Sequence, residues 1–394
     1  MRVIEDYPVK GKVVLLRIDC NCAVEGGRII PGERIRMHSE TIKRLAERGA
    51  RVVVLAHQGR KGDEDFMTLK QHAGVLSEYT GIPITYVDDV AQEKAKRAIS
   101  NLKDGEVLLL ENVRMLDSET MEEGSIVSEL SPLADYFVLD ALSVAHRAHS
   151  SVVGFARRIP SFYGNVLAKE IEALQSLRNV NSVTFVLGGS KGKDSLGIME
   201  RWLSDGKAKV VLVGGALSIL FLKAKGCSVG ESNSYLEEEG LIEYLEKTRE
   251  ILERFGKKIE LPEDVALNIE DERVECDVAK IREGKIFDIG KRTTERYKKI
   301  ISESEAIVMN GPMGVYEMEK FAYGTREILK AIANSKGFSL LGGGHTISAI
   351  EKFRMDKKRF GYVSLSGKAL IEYLSGKELP GIKALEENEK RFKV

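Results

Sequence analysis

The sequence predicts an α/β protein of two domains, each built on a parallel sheet with helices on both faces. Short apolar runs such as VVLLRI at 13–18 and AIVMN at 306–310 are continuous rather than alternating, which indicates strands buried on both faces. Amphipathic helical patterns separate the runs, for example Leu241, Leu245 and Leu252. The chain of 394 residues is also too long for one typical core, so two domains are expected.

The first half of the chain contains four predicted strands and the best break. The strands are VVLLRI (13–18), RVVVLA (51–56), VLLLE (107–111) and YFVLD (136–140). A helix is predicted to open at Arg34, after a Pro-Gly turn. PSFYG at 160–164 is the break, and the helix-like stretch after it joins the domains, so we assign 1–164 to the first domain and 165–178 to a hinge helix.

The second half contains five predicted strands, in a domain that we assign to 179–377. They are TFVLG (184–188), VVLVG (210–214), AIVMN (306–310), SLLG (339–342) and YVSL (362–365). Helical patterns alternate with these strands, which is the order expected of repeated βα units.

The charge composition argues against a nucleic-acid or membrane partner. Lys and Arg number 60, as do Asp and Glu, so the net charge is zero. No apolar run approaches the roughly 20 residues of a membrane span, and the N-terminus is charged where a signal peptide needs an apolar core. We therefore expect a cytoplasmic protein whose cysteines are reduced packing residues.

Charged and polar residues follow the predicted strands of the first half. In chain order they are Asp19 and Asn21, then His57, Gln58, Gly59 and Arg60, then Arg114, and last His146, Arg147 and His149. In open α/β sheets, ligands bind beyond the carboxyl ends of the strands. A single arginine there is most often a surface ion pair, but several cations at one topological position indicate a site for a small phosphate or carboxylate anion.

Glycines follow the predicted strands of the second half. The strand ends carry Gly188-Gly189, Gly214-Gly215, Asn310-Gly311-Pro312 and Gly342-Gly343-Gly344. Glycine gives a ligand access to backbone N–H groups, and a helix N-terminus beside it favours phosphate. A tight βα turn is the alternative at any one of these places, whereas four together indicate a nucleotide site.

Several familiar catalytic and nucleotide-binding motifs are absent from this sequence. Gly192-Lys193 is followed by Asp194 rather than by Ser or Thr and lacks the upstream glycine, so it is not a P-loop. No G-x-G-x-x-G follows a strand, and there is neither a nucleophilic triad nor an H-E-x-x-H zinc signature. An anion site in one half and a nucleotide site in the other point instead to phosphoryl transfer across a cleft.

Longer motifs resemble the phosphoglycerate kinase family, from about Val13 to Leu385. VLLRIDCNCAV is similar to the family's VLLRVDFNVP, LAHQGR to its SHLGR loop, and LLLENVRM to LLENVRF. AHRAHSS, DIGKRT (288–293) and NGPMGVYE (310–317) also fit the family. The resemblance implies two similar-sized αβα domains with parallel sheets facing each other across a cleft, and residues 378–394 returning to the first domain.

The resemblance also implies an activity and a set of site residues. The activity is reversible, in-line transfer of the acyl phosphate of 1,3-bisphosphoglycerate to ADP, with magnesium and after domain closure, giving 3-phosphoglycerate and ATP. The substrate-binding positions fall on Asp19, Asn21, Arg34, His57, Gln58, Gly59, Arg60, Arg114 and Arg147. The nucleotide-binding positions fall on Gly188, Gly189, Lys191, Gly214, Asn310, Pro312, Glu317, Gly342, Gly343, Gly344, His345 and Thr346. Arg34 and Lys191 would stabilise the transferring group.

The chain departs from the family's motifs in ways that affect charge. Ser195 replaces the second lysine of GGAKVxDK, and Lys368 stands within the glycine-rich VSTGGGA stretch. We predict that Lys368, or else Lys193, restores the charge that Ser195 lacks; the alternative is a solvent-facing Lys368. The family's NDAFG becomes Leu139-Asp140-Ala141-Leu142-Ser143, which we expect to be a packing change.

His345 replaces the aspartate that reaches the magnesium in the family's GGGDT turn. This form of the turn resembles that of archaeal members, which indicates an archaeal source. Because magnesium prefers oxygen ligands, we expect nucleotide phosphates and water to hold it, with a neutral His345 as a hydrogen-bond donor or outer group. Which protein groups contact the metal stays open.

Two other functions stay open at this point. One is a kinase of the same fold that acts on another small acyl phosphate. The other is a catalytically weak binding protein, which the change at Ser195 would favour. The sequence decides neither between a monomer and a dimer nor between glycolytic and gluconeogenic flux.

Overall fold

The computed structural model describes residues 1–394, apart from the side chain of Arg178, and the chain divides into two compact units. Unit 1 comprises Met1–Ile171 with Glu378–Val394, and unit 2 comprises Glu172–Lys377. Each unit is centred on a six-stranded parallel sheet with helices packed on it, which confirms the predicted α/β fold.

The sheet of unit 1 has the strand order β5-β6-β4-β1-β7-β8. The strands of this unit are β1 (Val13–Arg17), β2 (Ala23–Glu25), β3 (Arg28–Ile30), β4 (Arg51–Leu55), β5 (Ile84–Val87), β6 (Val107–Leu110), β7 (Tyr136–Leu139) and β8 (Ser161–Tyr163). β2 and β3 form a separate hairpin. Because β1 lies between β4 and β7, Val14 pairs with Val52 on one side and with Tyr136 on the other, and its apolar run is buried.

Helices follow the strands of unit 1. They are α1 (Glu33–Glu47), α2 (Lys70–Thr80), α3 (Glu93–Ser100), α4 (Ser125–Leu130) and α5 (Leu142–Ala145), followed by α6 (Asn165–Arg178), within which the division between the units falls. α1 buries Ile35, Ile42 and Leu45 in the same core as the side chains of β1 and β4.

The sheet of unit 2 has the strand order β11-β10-β9-β15-β16-β17, and a three-stranded antiparallel sheet, β13-β12-β14, accompanies it. The strands are β9 (Val183–Leu187), β10 (Ala208–Val213), β11 (Ile259–Glu260), β12 (Asp264–Ile269), β13 (Glu272–Asp277), β14 (Lys285–Ile289), β15 (Ala306–Asn310), β16 (Phe338–Gly342) and β17 (Tyr362–Val363). The helices are α7 (Gly192–Ser204), α8 (Gly215–Ala224), α9 (Ser232–Glu238), α10 (Leu245–Phe255), α11 (Lys291–Ser302), α12 (Tyr323–Asn334), α13 (Gly344–Lys352) and α14 (Lys368–Leu374).

The last helix, α15 (Pro380–Arg391), packs in unit 1. The side chain of Asn388 accepts a hydrogen bond from the backbone N–H of Ser161, at 2.9 Å, and donates to the carbonyls of Ala156 and Ile159, at 2.6 and 2.9 Å. These bonds fix α15 against the edge strand β8.

Candidate active site

The predicted ligand residues of unit 1 follow four neighbouring strands of its sheet. Asp19 and Asn21 follow β1, the 57–60 loop follows β4, Arg114 lies in a short 3₁₀ turn after β6, and Arg147 follows α5 behind β7. Since β6, β4, β1 and β7 are adjacent and parallel, their carboxyl ends lie at one edge of the sheet. The fold therefore gathers residues that are far apart in sequence.

The carboxylate of Asp19 is buried and has three donors of different kinds. Its Oδ2 lies 2.5 Å from the hydroxyl of Ser143 and 3.3 Å from the guanidinium of Arg34, while its Oδ1 accepts from the backbone N–H of Asn21 at 3.0 Å. Burial acts to raise the pKa of Asp19, but the charge of Arg34 and the hydrogen bonds from Ser143 and Asn21 together hold it below its ordinary value. Asp19 is thus ionised at neutral pH.

His57 is buried beside Arg17. This arginine lies within a strand, so it was not among the residues predicted from their position after a strand. Nδ1 of His57 lies 3.2 Å from the guanidinium of Arg17, which is only 2% exposed and also donates to Ser151 Oγ at 2.9 Å and to the carbonyl of Ile18. Burial, and then the charge of Arg17, hold the pKa of His57 well below its ordinary value, so the imidazole is neutral. Arg17 is the one charged residue in the apolar VVLLRI run, and this feature of the sequence could have identified it as a candidate site residue.

A buried carboxylate, Glu119, balances part of this positive charge. It accepts from the hydroxyl and the N–H of Ser151, at 2.6 and 3.1 Å, and its Oε1 lies 3.8 Å from Nδ1 of His149. Burial raises the pKa of Glu119, against the opposing effects of Arg17 and Ser151. Glu119 lies in a 3₁₀ turn without a preceding strand, so the sequence pattern gave no reason to select it.

The arginines of unit 1 lie close enough to destabilise one another's charge. Burial, followed by repulsion from Arg147, Arg17 and Arg60, lowers the pKa of Arg114 to about 10. Burial and Arg17 likewise lower the pKa of Arg147. Because these side chains remain charged at neutral pH, the cluster is electrostatically suited to bind an anion.

Within the 57–60 loop, Gln58 and Gly59 hold the loop in place. Gln58 is fully buried, and its side chain accepts from the N–H of Cys22 and donates to the carbonyls of Cys22 and Asp65, at 3.0, 3.0 and 3.2 Å. The N–H of Gly59 donates to Asn21 Oδ1 at 2.8 Å, and its carbonyl accepts from Arg114. The side chain of Gln58 is therefore a support for the site, not a contact for a ligand as its place in the sequence suggested.

In unit 2, three helices begin directly after sheet strands, at glycine-rich turns. α7 begins after Lys191, α8 after Gly214 and α13 after Gly343, and within the described residues no side chain caps these N-termini. Gly343 has φ +91°, and a Cβ there would lie 2.5 Å from Asn310 Oδ1, so only glycine fits. Uncapped N–H groups at these three helix starts are suited to phosphate.

A cavity of about 310 Å³ adjoins all three of these helix starts. Its apolar wall includes Ile219, Phe287 and Val315, and its lining also includes Gly189, Ser190, Gly215, Tyr235, Pro312, Glu317 and His345. An apolar slot with helix N-termini at its edge matches a nucleotide, whose base is flat and whose phosphates are anionic.

Two residues of the GGGHT turn pack inward. A Cβ on Gly342 would overlap the side chain of Leu370, and the hydroxyl of the buried Thr346 accepts from the N–H of Gly311 at 2.8 Å. Gly342 and Thr346 therefore hold the turn in place, whereas Gly344 and His345 are exposed, and a nucleotide contact by any of the four stays a prediction. His345 Nδ1 lies 3.6 Å from Glu317 Oε1, so two of the predicted nucleotide-binding positions lie side by side.

The charges predicted to replace the missing lysine lie on the surface. Ser195 is buried in α7, whereas Lys193 is exposed. The side chain of Lys368 is 72% exposed at the start of α14, with its Nζ 3.9 Å from Glu372. This is the arrangement expected of a solvent-facing lysine, and the compensating role of Lys368 stays a prediction.

The described residues contain neither a metal-binding cluster nor a helix suited to span a membrane. No group of three or more His, Cys, Asp or Glu side chains in this part of the chain could hold a metal ion. None of its helices combines the length and apolarity that a membrane span requires.

Comparison with known proteins gives one family over nearly the whole chain. The family model of phosphoglycerate kinase matches residues 4–377. Phosphoglycerate kinase from Methanopyrus kandleri is 43% identical over 97% of this chain and 96% of that protein, and the one from Methanothermobacter thermautotrophicus is 40% identical over 98% and 97%. The crystal structure of phosphoglycerate kinase from Pyrococcus horikoshii superposes with a TM-score of 0.91, at 39% identity and with both chains fully covered.

Two parallel-sheet units, one with a cation cluster and the other with helix N-termini beside an apolar cavity, define a phosphotransferase of the two-domain α/β class. The matches specify which one. The chain belongs to the phosphoglycerate kinase family, as its motifs predicted, and these relatives are archaeal.

Proposed function

We propose that this chain catalyses reversible transfer of the acyl phosphate of 1,3-bisphosphoglycerate to ADP, giving 3-phosphoglycerate and ATP. The observation that carries the proposal is the cation cluster at the carboxyl ends of four neighbouring strands, on positions that match the family's motifs. A three-carbon acid with phosphate groups presents its negative charges to such a cluster at close range.

Different residues of unit 1 are proposed to bind different groups of the substrate, according to the charge of each group. The residues proposed to bind it are Asp19, Asn21, Arg34, His57, Arg60, Arg114 and Arg147. The arginines neutralise phosphate and carboxylate oxygens, and the neutral His57 donates a hydrogen bond from the nitrogen that faces away from Arg17. Since an ionised Asp19 repels anionic groups, it fits the hydroxyl of 3-phosphoglycerate as a hydrogen-bond acceptor.

The nucleotide is proposed to bind in the cavity of unit 2. Its base lies against the apolar wall, its ribose hydroxyls reach Glu317, and its phosphates meet Lys191 and the N-termini of α7, α8 and α13. The groups proposed to meet the phosphates offer N–H donors and a cation rather than oxygen ligands. Magnesium therefore fits as part of the nucleotide substrate, held by phosphates and water.

Transfer between the two substrates requires alignment and charge neutralisation only, because an acyl phosphate is already activated. Arg34 from unit 1 and Lys191 from unit 2 are the proposed groups that stabilise the transferring phosphoryl group. Because the substrates belong to different units, the reaction needs the units to bring them together, which is the domain closure predicted from the sequence. A cytoplasmic location and a monomeric or dimeric state stay predictions.

A coupled assay tests this proposal. The purified chain is given 3-phosphoglycerate and ATP with magnesium, and formation of 1,3-bisphosphoglycerate is followed through its NADH-dependent reduction by a coupling dehydrogenase. We expect turnover that requires 3-phosphoglycerate and ceases with Arg34→Ala. Turnover with a different small carboxylic acid alone would assign the chain to another kinase of this fold, and nucleotide binding without turnover would make it a binding protein.

A further inference from the structure

A buried chain of polar contacts lies behind His57 in unit 1. Nε of Arg17 donates to the hydroxyl of Ser151 at 2.9 Å, and that hydroxyl donates onward to Oε1 of Glu119 at 2.6 Å. The backbone N–H of Ser151 holds the other oxygen of Glu119 at 3.1 Å. Arg17, Ser151 and Glu119 are each no more than 2% exposed, so water does not compete for these contacts.

These contacts determine the direction of the Arg17 guanidinium. Its Nε is bonded to Ser151 and its Nη1 to the Ile18 carbonyl, which directs Nη2 to a distance of 3.2 Å from Nδ1 of His57. Because a guanidinium group donates hydrogen bonds and cannot accept them, Nδ1 is the acceptor. The neutral imidazole carries a single ring proton, which is therefore on Nε2.

We propose that Ser151 and Glu119 are positioning residues, which orient Arg17 onto Nδ1 of His57 and thereby fix the imidazole as a hydrogen-bond donor. With its proton on Nε2, His57 can donate to a ligand oxygen but cannot accept from a ligand donor. The site thus favours a carboxylate or phosphate oxygen at this point and disfavours an ammonium group, which can only donate. This inference rests on the proposed function, because it takes His57 to contact 3-phosphoglycerate.

Ser151→Ala breaks the chain of contacts at its centre. Nε of Arg17 loses its acceptor and Glu119 loses one donor, so the guanidinium is drawn onto the carboxylate, because charge-assisted hydrogen bonds are the strong ones. Nδ1 of His57 then loses the donor that faces it. We therefore expect the imidazole of this variant to populate both tautomers.

Nitrogen NMR of the ligand-free full chain, labelled at its histidines and held at neutral pH, reads the tautomer directly. The chain has six histidines, and the signals of His57 are identified by their loss in His57→Gln. We expect the wild-type chain to show His57 in the Nε2–H form alone and Ser151→Ala to show a mixture. Arg17→Met, which removes the donor itself, should give the same mixture. A wild-type His57 with its proton on Nδ1, or variants whose His57 signals match the wild type, would overturn the inference.

Steady-state kinetics separates this role from a general structural effect. In Ser151→Ala the KM for 3-phosphoglycerate should rise by about threefold to tenfold, the loss of one oriented hydrogen bond, while the KM for ATP stays unchanged. Ser39→Ala is the matched control, because Ser39 is also a buried serine of unit 1 and its hydroxyl donates to the Ile35 carbonyl within α1. Equal KM values for 3-phosphoglycerate in the two variants of an active chain would overturn the inference alone. A wild-type chain that neither turns over nor binds 3-phosphoglycerate would overturn the proposed function and this inference with it.

Discussion

Replacement of the buried Arg17 by methionine is expected to destabilise unit 1 in a pH-dependent way. Arg17 donates to Ser151 and to the Ile18 carbonyl and lies 3.2 Å from Nδ1 of His57. It also lowers the pKa of the neighbouring Glu119, which is only 1% exposed. Methionine is similar in volume, so the main loss is electrostatic.

The size of the effect follows from what remains around Glu119. Leaving a buried polar atom without its hydrogen-bond donor costs about 1 to 3 kcal/mol, and the loss of a neighbouring charge adds to this. Glu119 keeps its two hydrogen bonds from Ser151, whereas the Ile18 carbonyl loses a donor. We therefore expect Arg17→Met to lower the free energy of unfolding by about 3 kcal/mol at pH 8.

The dependence on pH comes from Glu119, whose pKa is raised in the folded protein. A group with a raised folded pKa contributes stability that is present below its unfolded pKa, about 4.3 for Glu, and is lost as pH rises through the folded value. Loss of Arg17 raises the folded pKa of Glu119 further. The cost of the substitution should therefore be smaller at pH 5 than at pH 8.

Urea unfolding followed by circular dichroism at both pH values measures the effect. Arg97→Met is the control, since Arg97 is exposed on α3 and its loss should change stability by no more than about 0.5 kcal/mol. An Arg17→Met variant as stable as this control, or one whose cost is the same at pH 5 and pH 8, would refute the reasoning.

Three further predictions concern unit 2. Gly188→Ala would press a methyl group against the Pro312 carbonyl. The KM for ATP should therefore rise by about tenfold, while the KM for 3-phosphoglycerate stays constant. Equal rises in both KM values would contradict a role of Gly188 in nucleotide binding. Thr346→Val removes the acceptor of the Gly311 N–H and should cost about 1 to 3 kcal/mol in urea unfolding, against a smaller loss for Thr346→Ser. Lys368→Ala should raise the KM for ATP if Lys368 supplies the missing charge; unchanged turnover and nucleotide affinity would remove that idea.

The central strands were predictable because each is a continuous apolar run buried on both faces. Other strands gave no such pattern: β13 reads ERVECD and lies at the edge of its sheet with mostly charged side chains, and β11 is only two residues long. β8 lies within the PSFYG segment that we selected as the break, since a three-residue strand is too short to show a period.

The site was predictable as far as topology determines it. Residues that follow parallel strands necessarily reach one edge of a sheet, which is why Asp19, His57 and Arg114 could be selected. Side-chain direction is a different matter, because it depends on packing between distant segments. Gln58 therefore follows a strand, yet its side chain bonds to the backbone of Cys22 and supports the loop. Arg17 lies within a strand, yet its side chain reaches His57.

The position of α15 has a consequence for synthesis of the protein. All residues of unit 2 precede α15, so unit 2 can emerge from the ribosome and fold while unit 1, begun first, still lacks the helix that Asn388 fastens to β8. Unit 1 is thus completed last. A premature stop at residue 378 would spare the sequence of unit 2 and still leave the first-made unit unfinished.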